Sequence, residues 1–383
     1  MRALLPFLAI AATPAPVSVL VADTEARWVP FDLTPGNQIR FLMTVNGRPA
    51  TAILDTGVST SVLSRRFAAA SGLTVGAGGR AATIGGTVDV GTVSTSSLAV
   101  GGLVRTGGTL AVVDLPATAT GSAEAVDLLV GRDLTAPFAL DIDYRQRRFR
   151  FLKSGRMPFP GLTAPLAISP DRQVYVSAVA LGGQPLRPVV VDTGDGSALT
   201  LSAPAWAQAK VAATAVTSTI SYGIAGPVTS DLAIVPALTI GQASARDVEV
   251  RIEPAGGFSE TIGVAGRIGS GLLQRYRVLL DPSAGHMLLA AEPGAQGGPV
   301  RSTSGLLLGI ARDRLRVLHV MRGGPAAGVW HEGETICAVD GTPVGAAYLS
   351  SPAARWVTGT PGTVVTLRLC DGQERRLTLR RFY

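Results

Sequence analysis

The chain has 383 residues, more than one ordinary domain, and its 46% hydrophobic content excludes an intrinsically disordered protein. Glycine (46 residues) and proline (25) are abundant while charged residues make up only 16%, so the composition favours short strands separated by many turns. The net charge of +7 comes almost entirely from arginine, but no basic run is interleaved with aromatic residues, so nucleic acid is not an expected partner.

The first 22 residues are expected to form a signal peptide. Arg2 precedes a short apolar stretch at residues 4–12, and small residues follow, with cleavage expected between Ala12 and Ala22. Three prolines in this stretch disfavour a stable membrane-spanning helix, although an uncleaved anchor is the alternative. The mature protein is therefore expected to be periplasmic or secreted.

Two short apolar runs each lead into the triplet Asp-Thr-Gly. The first triplet begins at Asp55 and the second at Asp192, 137 residues later. Two carboxylates held close together cannot both ionise easily, so they share one proton. The ionised carboxylate can deprotonate a water molecule while the protonated one polarises a peptide carbonyl. The duplicated triplet thus predicts a reaction that draws one aspartate from each half of the chain.

The segments around the triplets are repeated as well. About thirty residues after each triplet comes a glycine hairpin signal, at residues 83–87 and 221–226. Each copy closes with an apolar-glycine element, and the glycines of these elements, Gly131 and Gly269, lie 138 residues apart. The shared offset indicates an internal duplication. Pro/Gly-rich breaks then delimit lobe one at residues 25–155 and lobe two at residues 165–292.

These features resemble the aspartic peptidases, in particular the retropepsin-like branch, over roughly residues 35–290. The apolar run into Asp-Thr-Gly, the hairpin and the closing Gly131-Arg132-Asp133 element carry the resemblance. It implies a mainly β, bilobal aspartic-peptidase fold that is active as a monomer, because one chain carries both lobes. It also implies an endopeptidase that acts on peptides or unfolded proteins and needs neither a cofactor nor a metal.

Asp55 and Asp192 are the predicted catalytic pair. The two triplet threonines are expected to hydrogen-bond across to the opposite loop. The hairpins are interpreted as flaps that cover an extended substrate and exclude water, with ordinary surface hairpins as the alternative. The predicted substrate-binding residues come from the two triplets and the two hairpins: Thr56, Gly57, Thr193, Gly194, Gly85, Gly86, Tyr222 and Gly223.

Two departures from the family pattern concern charge. Asp195 follows the second triplet, where relatives usually have Ala, Ser or Thr; it either raises the proton affinity of the catalytic pair or points to solvent. Relatives also pair the arginine of the closing element with an acid two residues past the triplet. That position is Ser59 or Gly196 here, so this salt bridge is expected to be absent and Arg132 needs another partner. These departures support the alternative of a non-catalytic peptide-binding scaffold.

The pattern changes after residue 300. The stretches 323–329, 333–336 and 339–341 resemble a PDZ domain of the bacterial protease-associated kind, which implies a small α+β domain at residues 301–383. Such a domain binds a C-terminal peptide by adding a strand to a sheet edge; an interdomain brace without a ligand is the alternative. The resemblance puts Cys337 and Cys370 on neighbouring strands, where a disulfide can form. The predicted peptide-binding residues are Gly305, Leu306, Leu307, Leu308 and Gly309.

Overall fold

The structure is a computed structural model that describes residues 15–120, 125–211, 215–294 and 298–383. Most of the predicted signal peptide at residues 1–22 lies outside these ranges, as do residues 295–297 of the break before the C-terminal domain. The described chain is mainly β and forms four sheets, so the predicted fold class is confirmed. None of its described helices is both long enough and apolar enough to span a membrane.

The first half of the chain contains fourteen strands among the described residues. They are β1 Val17–Leu20, β2 Val29–Pro30, β3 Asp32–Leu33, β4 Ile39–Val45, β5 Arg48–Leu54, β6 Val62–Ser64, β7 Gly76–Thr83, β8 Gly86–Ser94, β9 Ser97–Val100, β10 Leu103–Thr106, β11 Thr109–Val113, β12 Leu128–Val130, β13 Ala139–Asp143 and β14 Arg148–Leu152. The helices are α1 Arg65–Ala70 and α2 Arg132–Thr135, with 3-10 turns at Thr24–Ala26 and Ala117–Thr120.

Eleven of these strands form the sheet of lobe one. Strand β5 lies in its middle, antiparallel to β4 on one side and parallel to β12 on the other. The last three residues of β5 are buried because both of its faces are covered, and a short apolar run of this kind suits such a strand. The chain leaves β5 at Leu54, so Asp55 sits at the end of a fixed central strand.

The second half repeats this arrangement with eleven strands among the described residues. They are β15 Leu162–Pro165, β16 Ala167–Ile168, β17 Tyr175–Leu181, β18 Gln184–Asp192, β19 Leu199–Leu201, β20 Val216–Gly223, β21 Gly226–Ile240, β22 Ala243–Ile252, β23 Gly266–Gly269, β24 Tyr276–Asp281 and β25 His286–Ala291. The helices are α3 Ala203–Ala209, α4 Phe258–Thr261 and α5 Ser270–Leu273. Strand β18 runs parallel to β23, as β5 runs parallel to β12.

A six-stranded sheet joins the lobes, in the order β15-β25-β24-β13-β14-β2. Strand β13 of the first half pairs antiparallel with β24 of the second, with Leu140 opposite Leu280. One apolar core runs through both lobes and includes these two leucines. Buried Asp141 accepts hydrogen bonds from Arg150 of the first half (2.9 Å) and Arg277 of the second (2.9 Å). The lobes are therefore held together by shared backbone pairing, shared core and a buried charge cluster.

The C-terminal domain has its own sheet and its own apolar core. Among the described residues its strands are β26 Leu306–Ile310, β27 Leu315–Val320, β28 Thr335–Val339, β29 Thr342–Pro343, β30 Val364–Leu369 and β31 Glu374–Thr378, with helix α6 Ala346–Leu349 and a 3-10 turn at Pro352–Thr358. Cys337 of β28 and Cys370, which follows β30, form a disulfide. A separate core under a separate sheet gives this segment the anatomy of an independent domain.

Candidate active site

The two Asp-Thr-Gly loops meet where the lobes face each other, and their threonines interlock. The Thr56 amide donates to Thr193 Oγ1 (3.1 Å), and the Thr193 amide donates to Thr56 Oγ1 (3.0 Å). Each hydroxyl in turn donates to a carbonyl of the opposite strand, at Val191 (2.6 Å) and Leu54 (2.7 Å). Both threonines are fully buried, so these four bonds fix one loop against the other in a dry environment.

The triplet glycines allow the aspartates to face each other. A methyl group at Gly57 would collide with the carboxyl of Asp192, and one at Gly194 would collide with that of Asp55. The two carboxyls share a side-chain hydrogen bond. Backbone amides orient them further: Gly57 donates to Asp55 Oδ1 (3.1 Å) and Gly194 donates to Asp192 Oδ1 (2.9 Å). The loops therefore bring one carboxyl from each lobe into direct contact.

Burial and neighbouring negative charge raise the pKa of both carboxyls. Burial, then the charge of Asp192, raises the pKa of Asp55 well above its usual value. Burial, then the charge of Asp195, raises the pKa of Asp192 to about 6, against the opposing effect of Arg267. The two groups titrate as one coupled unit. Arg267 offsets only part of the effect of burial and of Asp195 at Asp192, so the buried pair shares one proton as a single unit.

Asp195 is buried in lobe two. This excludes the alternative that its side chain points to solvent. Arg267 donates to it from Nε (3.1 Å) and Thr200 donates from its hydroxyl (2.9 Å). Burial raises the pKa of Asp195, but Arg267 and then Arg251 outweigh that effect and lower it to about 2. Asp195 is thus an anion behind Asp192, and its charge raises the pKa of both facing carboxyls.

Arg267 is the centre of this buried network. Its Nε also lies 3.7 Å from Asp192, and its Nη1 donates to Glu253 (2.8 Å) and Ser259 (2.8 Å). Lobe two therefore has a salt bridge between its closing element and its triplet loop, but this is a different bridge from the one of the family pattern. It joins Arg267 of β23 to Asp195 directly after the triplet, whereas the acid of the family pattern is replaced by Gly196.

Lobe one stabilises the corresponding loop differently. Asp133 of the closing element accepts from the amide (2.8 Å) and hydroxyl (2.6 Å) of Ser61 and from Nη1 of Arg105 (2.8 Å). The missing family salt bridge leaves Arg132 in need of another partner. Its Nε is instead buried without a hydrogen-bond partner in the described part of the chain. No acid of this network stands directly behind Asp55.

The two hairpins meet above the aspartates. The first flap is the β7–β8 hairpin with Gly85 and Gly86 at its tip, and the second flap is the β20–β21 hairpin with its tip at residues 223–226. A side chain at Gly85 would collide with the backbone of Gly226, and one at Gly223 with the backbone of Ile84. Ile224 packs against an apolar cluster of lobe one. The two hairpin tips are therefore in contact with each other across the lobes, as the flap interpretation predicts.

A cleft of about 410 Å³ lies under the flaps. Among the predicted site residues it is lined by Asp55, Gly57, Asp192, Gly194, Tyr222 and Gly223, while Thr56 and Thr193 are buried beneath it. Gly85 and Gly86 are at the tip of the first flap and do not line it. The described residues contain no group of three or more His, Cys, Asp or Glu side chains arranged to hold a metal ion.

Sequence reasoning missed the charged residues on the wall of lobe two, namely Arg267, Glu253, Glu249 and Arg251. One signal was available: an arginine inside the otherwise apolar closing run Gly266–Gly269 requires a buried counter-charge. The predicted PDZ residues do not contribute to this cleft. Leu306–Gly309 belong to β26, which is the edge strand of the C-terminal sheet within the described residues, and Gly305 precedes it.

The comparisons with known proteins point to the same loop and flap. The family model described as aspartyl protease matches residues 42–134, from β4 through Asp55 and the first flap to the closing element. No curated protein matches the chain. The several sheets are consistent with the β-rich fold of aspartic proteases. Residues 42–134 are therefore similar to retropepsin-like aspartyl proteases, which supports a protease-type function.

Proposed function

We propose that this protein is an exported aspartic endopeptidase whose catalytic pair is Asp55 and Asp192. The observation that carries the proposal is the contact between these two carboxyls, one from each lobe, in a cleft beneath two flaps. The family match covers only lobe one, so lobe two enters the proposal through its geometry: the same parallel strand pair, the same triplet loop and a flap of the same kind.

The charges suggest a division of labour. Asp192, beside Arg267, is the carboxylate that takes a proton from a bound water. Asp55, whose pKa is raised well above its usual value, holds the proton and donates it toward the carbonyl oxygen of the scissile peptide. The water attacks the carbonyl carbon directly, so no covalent intermediate with the enzyme forms. The interlocked threonines keep both carboxyls in position, and the flaps exclude bulk water during the step.

The C-terminal domain is proposed to be a PDZ-like module for substrate or partner recognition. An exposed edge strand is the feature that such modules use to bind an extended peptide. Here β26 is at the edge of the described sheet, and Ile310 at its end is exposed. A periplasmic or secreted location is proposed from the N-terminal sequence pattern, and a disulfide suits an oxidising compartment.

The experiment is a comparison of Asp55→Asn and Asp192→Asn with the wild type, using casein between pH 3 and pH 8. Each variant should lose at least about a thousandfold in rate, because a single remaining carboxyl cannot supply both proton transfers. Asp114→Asn is the matched control, since this aspartate is exposed and, in the part of the chain that the structure describes, its ion pair is with Arg65 at 3.5 Å. It should keep wild-type activity.

Two outcomes would contradict the proposal. If both Asn variants retain full activity, the cleavage has another source. If the wild type cleaves nothing at any pH yet binds unfolded protein, the chain is a peptide-binding scaffold that uses the protease fold without its chemistry.

A further inference from the structure

A polar cluster ties the second flap to the C-terminal domain. It consists of Thr217 and Ser218 on β20, Asp231 on β21, and His319 and Arg322 of the C-terminal domain; we call it the flap–domain cluster. Three of its members are buried at the interface: Thr217, Ser218 and His319. Buried hydrogen-bonded groups of this kind hold a fixed geometry, because breaking them leaves unsatisfied polar atoms.

Arg322 makes three connections to Thr217 and Asp231. Its backbone carbonyl accepts from the Thr217 hydroxyl (2.8 Å), and its Nη2 donates to the Thr217 carbonyl (3.2 Å). The same nitrogen forms a salt bridge with Asp231 on the neighbouring strand (3.0 Å). Arg322 thus contacts both strands of the second flap near their base.

Ser218 and His319 extend the connection into the domain. The amide of Arg322 donates to Ser218 Oγ (3.0 Å), which lies 2.8 Å from His319 Nε2. On the other side of the ring, Nδ1 lies 2.8 Å from a carboxylate oxygen of Glu332. A neutral ring protonated at Nδ1 satisfies both contacts, with the serine hydroxyl donating to Nε2. The flap is therefore linked by continuous hydrogen bonds to the loop that carries Glu332.

The flap–domain cluster lies at the base of a continuously paired two-stranded hairpin. Strand β20 pairs with β21 from Val216 opposite Ala233 to Gly223 opposite Gly226, without a register shift. At the far end, Ile224 packs into the apolar cluster of lobe one. The second flap is thus held at both ends, and its two ends are connected by an unbroken antiparallel ladder.

The first flap lacks such an anchor. Most of β7 is exposed, and its pairing with β8 shifts register between Gly76 and Gly79. Its only ion pair within the described part of the chain is the exposed contact between Arg80 and Asp89 (3.6 Å). No hydrogen bond among the described residues joins this hairpin to the C-terminal domain. The two flaps therefore differ in what holds their bases.

We propose that His319 and Arg322 are positioning residues through which the C-terminal domain anchors the second flap in its closed position. The first flap is then the one that opens to admit substrate. This inference rests on the proposed peptidase function for its kinetic consequences, but the anchoring itself is a property of the fold and can be measured without any substrate.

The test is hydrogen–deuterium exchange of the full chain, comparing the wild type with Arg322→Ala and with Thr217→Val. In both variants the amides of residues 219–226 should exchange at least about tenfold faster, because local opening costs less when the base is released. Residues 76–94 should exchange as in the wild type. Arg314→Ala is the matched control, since Arg314 pairs with Asp313 inside the same domain (2.8 Å) and away from the flap.

A charge exchange distinguishes anchoring from general loss of stability. Asp231→Arg combined with Arg322→Asp rebuilds the ion pair in reverse and should restore much of the slow exchange, whereas each single change should not. If Arg322→Ala leaves exchange in residues 219–226 unchanged, or speeds exchange equally throughout the domain, the anchoring proposal is wrong.

Kinetics provide the second readout. With a casein-derived peptide, Arg322→Ala should raise KM about fivefold to tenfold and change kcat less than twofold, because the flap contributes to substrate retention and the carboxyls are untouched. Loss of kcat with unchanged KM would contradict a positioning role. Absence of cleavage in the wild type would refute the peptidase proposal alone, because the exchange result stands without it.

Discussion

The loops at Asp55 and Asp192 are built alike and charged differently. Their threonines exchange equivalent hydrogen bonds, and each triplet glycine makes room for the opposite carboxyl. The anion Asp195 and the cation Arg267 lie behind Asp192. The acid that supports the loop of Asp55 is Asp133, which is hydrogen-bonded to Ser61. Backbone symmetry thus creates the shared site, and the charges of lobe two break the symmetry.

This difference places two equal residues of a duplicated fold in unequal surroundings. Two identical carboxyls in identical surroundings would share a proton evenly. Here Asp195 raises and Arg267 lowers the pKa of Asp192, so the two carboxyls are not equivalent. A similar inequality occurs at the flaps, since among the described residues hydrogen bonds join the second flap, and not the first, to the C-terminal domain. Lobe two therefore carries both features that make the lobes unequal, namely the charges beside Asp192 and the connection of its flap to the C-terminal domain.

The largest expected effect is a difference in the free energy of unfolding between variants of Arg267 and Arg105, the arginines that support the two triplet loops. Arg267→Met should lower the free energy of unfolding by about 3–5 kcal/mol, because it leaves Asp195 and Glu253 buried without their cation. Arg105→Met should cost clearly less, since Asp133 is partly exposed and keeps both hydrogen bonds from Ser61. Urea denaturation at pH 7 measures both values. Equal losses would show that the two networks are equivalent.

The next effect should be equal in the two lobes. Thr56→Val and Thr193→Val should each cost about 2–3 kcal/mol, because each removes two cross-loop hydrogen bonds and leaves a buried amide unsatisfied. Thr378→Val, at an exposed position of β31, is the control and should change stability by less than about 0.5 kcal/mol. A difference above 1 kcal/mol between the two buried sites would mean that the interlock itself is asymmetric.

The smallest expected effect concerns pH. The pKa of Asp55 is raised on folding, so its contribution to stability is full below the unfolded value and is lost as pH rises through the folded value. Asn cannot ionise, so Asp55→Asn avoids the loss of stability that ionisation of the buried carboxyl causes. The variant should be more stable than the wild type by about 1–2 kcal/mol at pH 7 and equally stable at pH 3. Asp192→Asn should likewise stabilise the protein at pH 7, because the pKa of Asp192 is raised to about 6 on folding. Urea denaturation at both pH values tests this, and a gain that is independent of pH would contradict it.

Much of the fold was predictable because its signals are local and repeated. An apolar run that ends in Asp-Thr-Gly specifies a buried strand and a tight loop, and a glycine pair between alternating residues specifies a hairpin. The pattern did not reveal that both hairpin tips meet, since that contact joins Gly223 to Ile84 across the lobes. It also missed the arginine network, because nothing near Asp195 in the chain indicates that Arg267 will be its partner 72 residues later.

The sequence alone determined the duplication, the pair of aspartates, the two hairpins and a distinct C-terminal segment, since each depends on residues that are neighbours in the chain or recur at one offset. Only the tertiary structure decided the direction in which Asp195 points, the cation that stands beside Asp192 and the flap that the C-terminal domain holds. The hydrogen bond between Ser218 and His319, for example, spans 101 residues. Such contacts depend on how strands from distant segments pack. Polar groups that pair over such a distance produce no repeating pattern in the sequence from which the pairing could be predicted.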